Sequence, residues 1–153
     1  MIEFPPEVYF RVIFSVFVGT VLGLERTVYN KPAGVRTFSL VCLGSTLIMI
    51  VSINGAQFLG IKPPPDPLRV AAQIVTGIGF IGAGVIWNSE NGVKHGITTA
   101  AELWVVSAIG MALGLGLYDL VLLVILCVYM AIFFGRKLDS LFRKGKGELD
   151  GDS

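Results

Sequence analysis

Glu102 is the one acidic residue inside a long apolar run, Ala100–Tyr118. A carboxylate at such depth can ligate a cation or hold a proton. Three residues ahead stands Thr99, so Thr99-Ala100-Ala101-Glu102 also reads as a capping box, with Thr99 as N-cap and Glu102 reaching back to its amide. A carboxylate there suits the positive end of a helix as well. The box is the simpler reading, and the ligand reading stays open. Glu25 and Arg26 close an earlier apolar run, and Arg36 opens the next one. The short link Lys31-Pro32-Ala33-Gly34 gathers these charges, so that Glu25 pairs with Arg26 or Arg36, or all three sit solvated in pairs worth under about 1 kcal/mol. Asn88, His95 and Thr98 fall in a polar stretch ahead of Glu102, and Arg69 and Gln73 open a third run behind an Asp66 expected to cap it. No catalytic set emerges. His95 is the single histidine, Cys42 and Cys127 lie far apart in apolar runs, and no phosphate loop or Ser/His/Asp grouping is visible. Gly77–Gly84 lacks the strand that a dinucleotide loop follows. The chain reads as a non-enzyme with no cofactor and with any metal ligands unassigned.

The elements that carry these residues follow from composition. Of 153 residues, 54% are hydrophobic and 15% charged, with a mean hydropathy of +0.75. A soluble domain carries about 25% charged residues, so a soluble enzyme and a disordered chain are both excluded. The net charge of +1 argues against a nucleic-acid partner. Either a large assembly buries the chain or a lipid bilayer supplies the missing solvent, and a bilayer core of about 30 Å takes about 20 apolar residues in a helix. Five spans are predicted, at about 8–24, 37–58, 70–87, 100–118 and 120–134, an all-α polytopic fold filling residues 1–142. Residues 143–153 are too polar to fold and are expected to be disordered, with no soluble domain after them. Arg11 is expected to snorkel outward from the first span. The acidic start, with Glu3 and Glu7, is unlike a cleaved signal, so that span stays. An outside N-terminus puts nine of the twelve Lys and Arg residues on the inner side, which the positive-inside bias favours, and places the C-terminus in the cytoplasm.

Membrane helices associate through small residues and polar contacts. Ser15, Gly19 and Gly23 form a stripe running into Arg26. Gly110 and Gly114 make a GxxxG on the fourth span. On the third, Arg69, Gln73, Gly77, Gly84 and Asn88 share one side, while Gly79, Gly82, Ala83 and Ile86 share the other. Two contact faces predict a central helix, although the same glycines could instead break it and expose carbonyls. The fifth span lacks such a stripe and is expected at the periphery. A face left over would pair with a copy of the chain, giving a homodimer. Glu25, Arg26, Arg36, Asn88, His95, Thr98, Thr99 and Glu102 all fall at the inner end, which points to a vestibule or docking surface there.

At these residues the chain resembles the MgtC/SapB family of bacterial inner-membrane proteins. The resemblance runs through Gly23-Leu24-Glu25-Arg26, Lys31-Pro32-Ala33-Gly34-Val35-Arg36-Thr37, Asp66-Pro67-Leu68-Arg69-Val70-Ala71-Ala72-Gln73, Gly77-Ile78-Gly79-Phe80-Ile81-Gly82-Ala83-Gly84, and Gly96-Ile97-Thr98-Thr99-Ala100-Ala101 with Trp104. It covers about residues 15–118, in order. It implies a multi-pass plasma-membrane protein linked to magnesium limitation and, in pathogens, to survival in phagocytes. Some members are thought to restrain the F-type ATP synthase, a larger membrane complex. The chain is similar to the short form without the C-terminal soluble domain of the virulence-type members. The resemblance therefore implies a non-catalytic regulator. The alternative is a transporter or channel for magnesium, which prefers hard oxygen ligands. Glu25, Asn88, Thr99 and Glu102 could supply these, with Arg26 and Arg36 opposing them.

Overall fold

The computed structural model describes residues 4–149. It divides into two units, residues 1–118 and 119–153. The first holds helices α1 (Pro6–Val28), α2 (Val35–Phe58), α3 (Leu68–Gly84) and α4 (Ile97–Leu115), plus a hairpin of two-residue strands between α3 and α4, and ends on Tyr118, the first residue of α5 (Tyr118–Leu149), whose remainder makes up the second. Four helices, α1, α2, α4 and α5, are long and apolar enough to cross a membrane. The 17 residues of α3 rise about 25 Å, short of a full bilayer core.

Local chemistry sets the boundaries. Pro6 opens α1 at the first helical position, where its missing N–H leaves no bond unmade. The amide of Val35, at the start of α2, donates to the Thr27 hydroxyl at 3.1 Å, which ties the α1–α2 turn shut. Asp66 acts as expected at α3, its Oδ1 accepting the Leu68 amide at 2.9 Å. Between α3 and α4 the expected polar loop is an antiparallel hairpin, pairing Trp87 with His95 and Asn88 with Lys94, and the Trp87 and His95 rings stack at 5.3 Å. The hairpin ends at Gly96, which has φ +83° and lies so close to the Val85 carbonyl that no side chain fits. Gly116, at φ +80°, ends α4 with the Leu117 amide bonded to the Ala112 carbonyl.

The central rod of the first unit is α2, packed on α1 along one side and on α4 along another; α3 lies mainly against α4. This corrects the expectation that α3 is central. A Cβ at Gly77, Gly79 or Gly84 would meet no atom within 4 Å, and only Gly82 has a neighbour, Ala100, at 3.6 Å. Nor do the glycines break α3, which is continuous to Gly84. The close approaches are elsewhere. Cβ atoms at Gly19 and Gly23 would lie 2.6 Å from the Cα atoms of Ser39 and Val35. One at Gly110 would lie 2.5 Å from the Cys42 carbonyl oxygen, and one at Gly114 2.7 Å from Met49 Cβ. Both predicted stripes are thus filled within the chain, so Gly110 and Gly114 are not free for a second copy. Side-chain hydrogen bonds accompany this packing: Ser45 to Ser107 at 3.0 Å, Thr46 to the Gly110 carbonyl at 2.8 Å and Thr20 to Ser39 at 2.9 Å.

In the second unit α5 is one helix whose apolar side chains, Leu122 and Phe133 among them, are largely exposed. It runs past the expected span end at 134, so the backbone over 143–149 is helical where coil is expected; residues 150–153 lie outside the described residues.

Candidate functional site

Arg26 is the last inward position of the Ser15–Gly19–Gly23 stripe, and the absent side chains above it bring α1 close to its neighbours. Its guanidinium reaches α4. Nη1 donates to Glu102 Oε1 at 2.8 Å and Nη2 to Thr99 Oγ1 at 3.0 Å. All three residues are buried, with Arg26 only 3% exposed and Glu102 8%. Glu25 Oε1 stands 3.9 Å from the same Nη1. Two carboxylates thus flank one guanidinium where the C-terminal end of α1 meets the first turns of α4.

This geometry replaces the capping box. Gly96 holds the N-cap position and makes no side-chain cap bond, which puts Thr99 and Glu102 inside the helix. Both side chains turn from the helix end to Arg26. Of the two partners considered for Glu25, Arg26 is the one within reach. Arg36 is exposed and makes no hydrogen bond or ion pair among the described residues.

The other predicted site residues disperse. Asn88 sits exposed in the hairpin, and Thr98 is exposed one residue before Thr99. Arg36 and Gln73 line a groove between α2 and α3, with Ser107 of α4 also on its wall. Arg69 lines a separate hollow near Asp66. Of the residues expected to gather at one end, Glu25, Arg26, Thr99 and Glu102 come together in one cluster. Among the described residues, no three His, Cys, Asp or Glu side chains converge as metal ligands.

A second polar cluster lies at the far ends of α1 and α4, where none was expected. Arg11 does not snorkel outward. It donates to the Gly114 carbonyl at 2.8 Å and to Glu7 at 2.5 Å, and the Tyr118 hydroxyl is 3.4 Å from Glu7. The signal available was Gly116, whose lack of a side chain makes room for the guanidinium: a Cβ would be 2.8 Å from Arg11 Nη2. The chain thus ties α1 to α4 by an arginine at each end.

The MgtC family matches residues 12–141 of the chain. Among relatives, SapB of Bacillus subtilis is 37% identical over 131 residues, 84% of this chain and 56% of SapB. YhiD of Escherichia coli K12 is 46% identical over 117 residues, 74% of this chain and 54% of YhiD. MgtC of Salmonella typhimurium is 38% identical over 120 residues, 76% of this chain and 48% of MgtC. The chain spans about half the length of these relatives. No solved structure matches it. With the family match covering most of all five helices and the whole Arg26–Glu102 tie, the chain belongs to the MgtC family of membrane proteins.

Proposed function

We propose that this protein is a non-catalytic regulator in the bacterial plasma membrane, acting in adaptation to low magnesium, with the Arg26–Glu102–Thr99 tie as the element its state depends on. The observation that carries this reading is the commitment of Glu102. Its carboxylate is held by a buried guanidinium at 2.8 Å, so a cation seeking it must displace an arginine. A buried ion pair between two helices is a better latch than a path, because its closed and open arrangements differ by several kcal/mol. The N-terminus lies outside and the inner end carries the latch, which suits a response to cytoplasmic conditions. The protein acts as a homodimer or within a larger membrane complex, such as the F-type ATP synthase. Its contact is the side of α3 holding Gly79 and Phe80, where Phe80 is 79% exposed and Gly79 has open space beside it.

A transport reading has one observation in its favour: YhiD, 46% identical, is put forward by its name as a magnesium transporter. Purified protein in liposomes loaded with a magnesium-sensitive dye separates the two. The regulatory reading expects magnesium entry no faster than in protein-free vesicles, with wild type and Glu102→Gln alike. Selective entry abolished by Glu102→Gln would establish transport instead.

A further inference from the structure

We propose that the groove between α2 and α3 holds one acyl chain of an anionic phospholipid from the surrounding bilayer, with Arg36 binding its phosphate. The groove encloses about 650 Å³, within the usual size of a ligand site. Its walls are mainly apolar, with Leu40 and Ile48 on α2 and Val70 and Ile81 on α3, and Gln73 and Ser107 are among the polar side chains on them. From Arg36 to Ile48 the helix rises about 18 Å, so the groove runs along the bilayer normal as an acyl chain does. Gly44 and Gly77 keep it open: both line it, and a Cβ on either would meet no atom within 4 Å. The other small-residue faces of α1 and α4 are filled by neighbouring helices, whereas this one is not.

Charge chooses the occupant. Arg36 stands where α2 begins, exposed, with no hydrogen bond or ion pair among the described residues. An apolar slot with one uncommitted guanidinium at its mouth complements a lipid whose phosphate carries uncompensated negative charge, and basic sites between membrane helices bind such headgroups. A second copy of the chain fits less well. Copies inserted the same way round and joined through this groove about an axis normal to the membrane would bring their Arg36 side chains together at one depth, like charge against like. The proposal is independent of the latch, since Arg36 makes no bond with Arg26, Thr99 or Glu102.

The test is native mass spectrometry of the full chain, released from detergent containing equal phosphatidylglycerol and phosphatidylcholine of the same acyl composition. Wild type is expected to retain one phosphatidylglycerol with about fivefold preference, the size of one cation's attraction to an uncompensated headgroup charge, since both lipids offer a phosphate to the guanidinium. Arg36→Gln should bring the preference to within about twofold. Lys94→Gln, which removes a hairpin cation outside the groove, should leave it unchanged. Gly77→Leu sets a side chain into the groove, where a Cβ meets no atom within 4 Å, and should lower retention of both lipids by about tenfold, with helicity by circular dichroism unchanged. Undiminished selectivity in Arg36→Gln, equal loss in Lys94→Gln, or full retention in Gly77→Leu would overturn the proposal. So would efficient copy-to-copy cross-linking of Gly77→Cys with no lipid retained.

Discussion

Removing either member of the Arg26–Glu102 pair should destabilise the α1–α4 junction far more than removing both. Neither side chain is screened, as Arg26 is 3% and the Glu102 side chain 10% exposed. Breaking a buried pair by deleting one partner costs about 3–5 kcal/mol, while replacing both by apolar residues is often neutral. Glu102→Leu leaves Arg26 with the Thr99 hydroxyl at 3.0 Å and Glu25 at 3.9 Å, which puts it at the lower end, about 3 kcal/mol. Arg26→Met leaves two carboxylates without their shared cation, which puts it at the upper end, about 5 kcal/mol. The double variant should lose no more than about 2 kcal/mol, since the Thr99 hydroxyl must find a new partner and Glu25 gives up only a contact at 3.9 Å. Unfolding free energies in bicelles, measured by steric trapping, give the cycle directly. Single losses of about 3 and 5 kcal/mol against a joint loss of no more than about 2 correspond to a coupling energy of about 6 kcal/mol. Additive losses, with coupling under about 0.5 kcal/mol, would refute the reasoning and reduce the contact to an incidental one.

Three further outcomes follow from the packing. Gly110→Ala and Gly114→Ala should each destabilise the fold by about 1–3 kcal/mol through collision with α2, leaving cross-linking between copies unchanged. Loss of cross-linking without loss of stability would return that face to an intermolecular role. Gly116→Ala should lose about 1–2 kcal/mol to its left-handed backbone and also displace Arg11; an unchanged unfolding curve would contradict the αL assignment. Arg11→Met should cost about 1.5–3 kcal/mol by leaving the Gly114 carbonyl without its charged donor, and a loss under about 0.5 kcal/mol would show that the carbonyl is otherwise satisfied.

Helix existence was legible because apolar runs between charges are long-range only in length, not in pairing. The Ser15–Gly19–Gly23–Arg26 stripe was legible for the same reason: one helix's period places those residues on one face, and all four are buried. Pairings between helices were not. Arg26 and Glu102 are 76 residues apart, and nothing local distinguishes Glu102 as an arginine's partner from Glu102 as a cap. The decision lay with Gly96, which could take the positive φ that closes the hairpin and so became the N-cap in place of Thr99. The sequence misplaces α3 for a related reason. Glycine periodicity reports where a helix could be approached, and Gly77, Gly79 and Gly84 are approached by nothing in the chain. Arg11 was read from its position near a helix end, where snorkelling is the rule, while its actual partner is a carbonyl 103 residues away.

A regulatory role requires the Arg26–Glu102 tie to be used and not merely buried. It is tested most directly by combining Arg26→Met with Glu102→Leu in cells deleted for their own copy and grown at limiting magnesium. Membrane protein at wild-type abundance, no more than about 2 kcal/mol less stable, is expected together with loss of growth support. Growth equal to wild type from that folded, tie-free protein would contradict it.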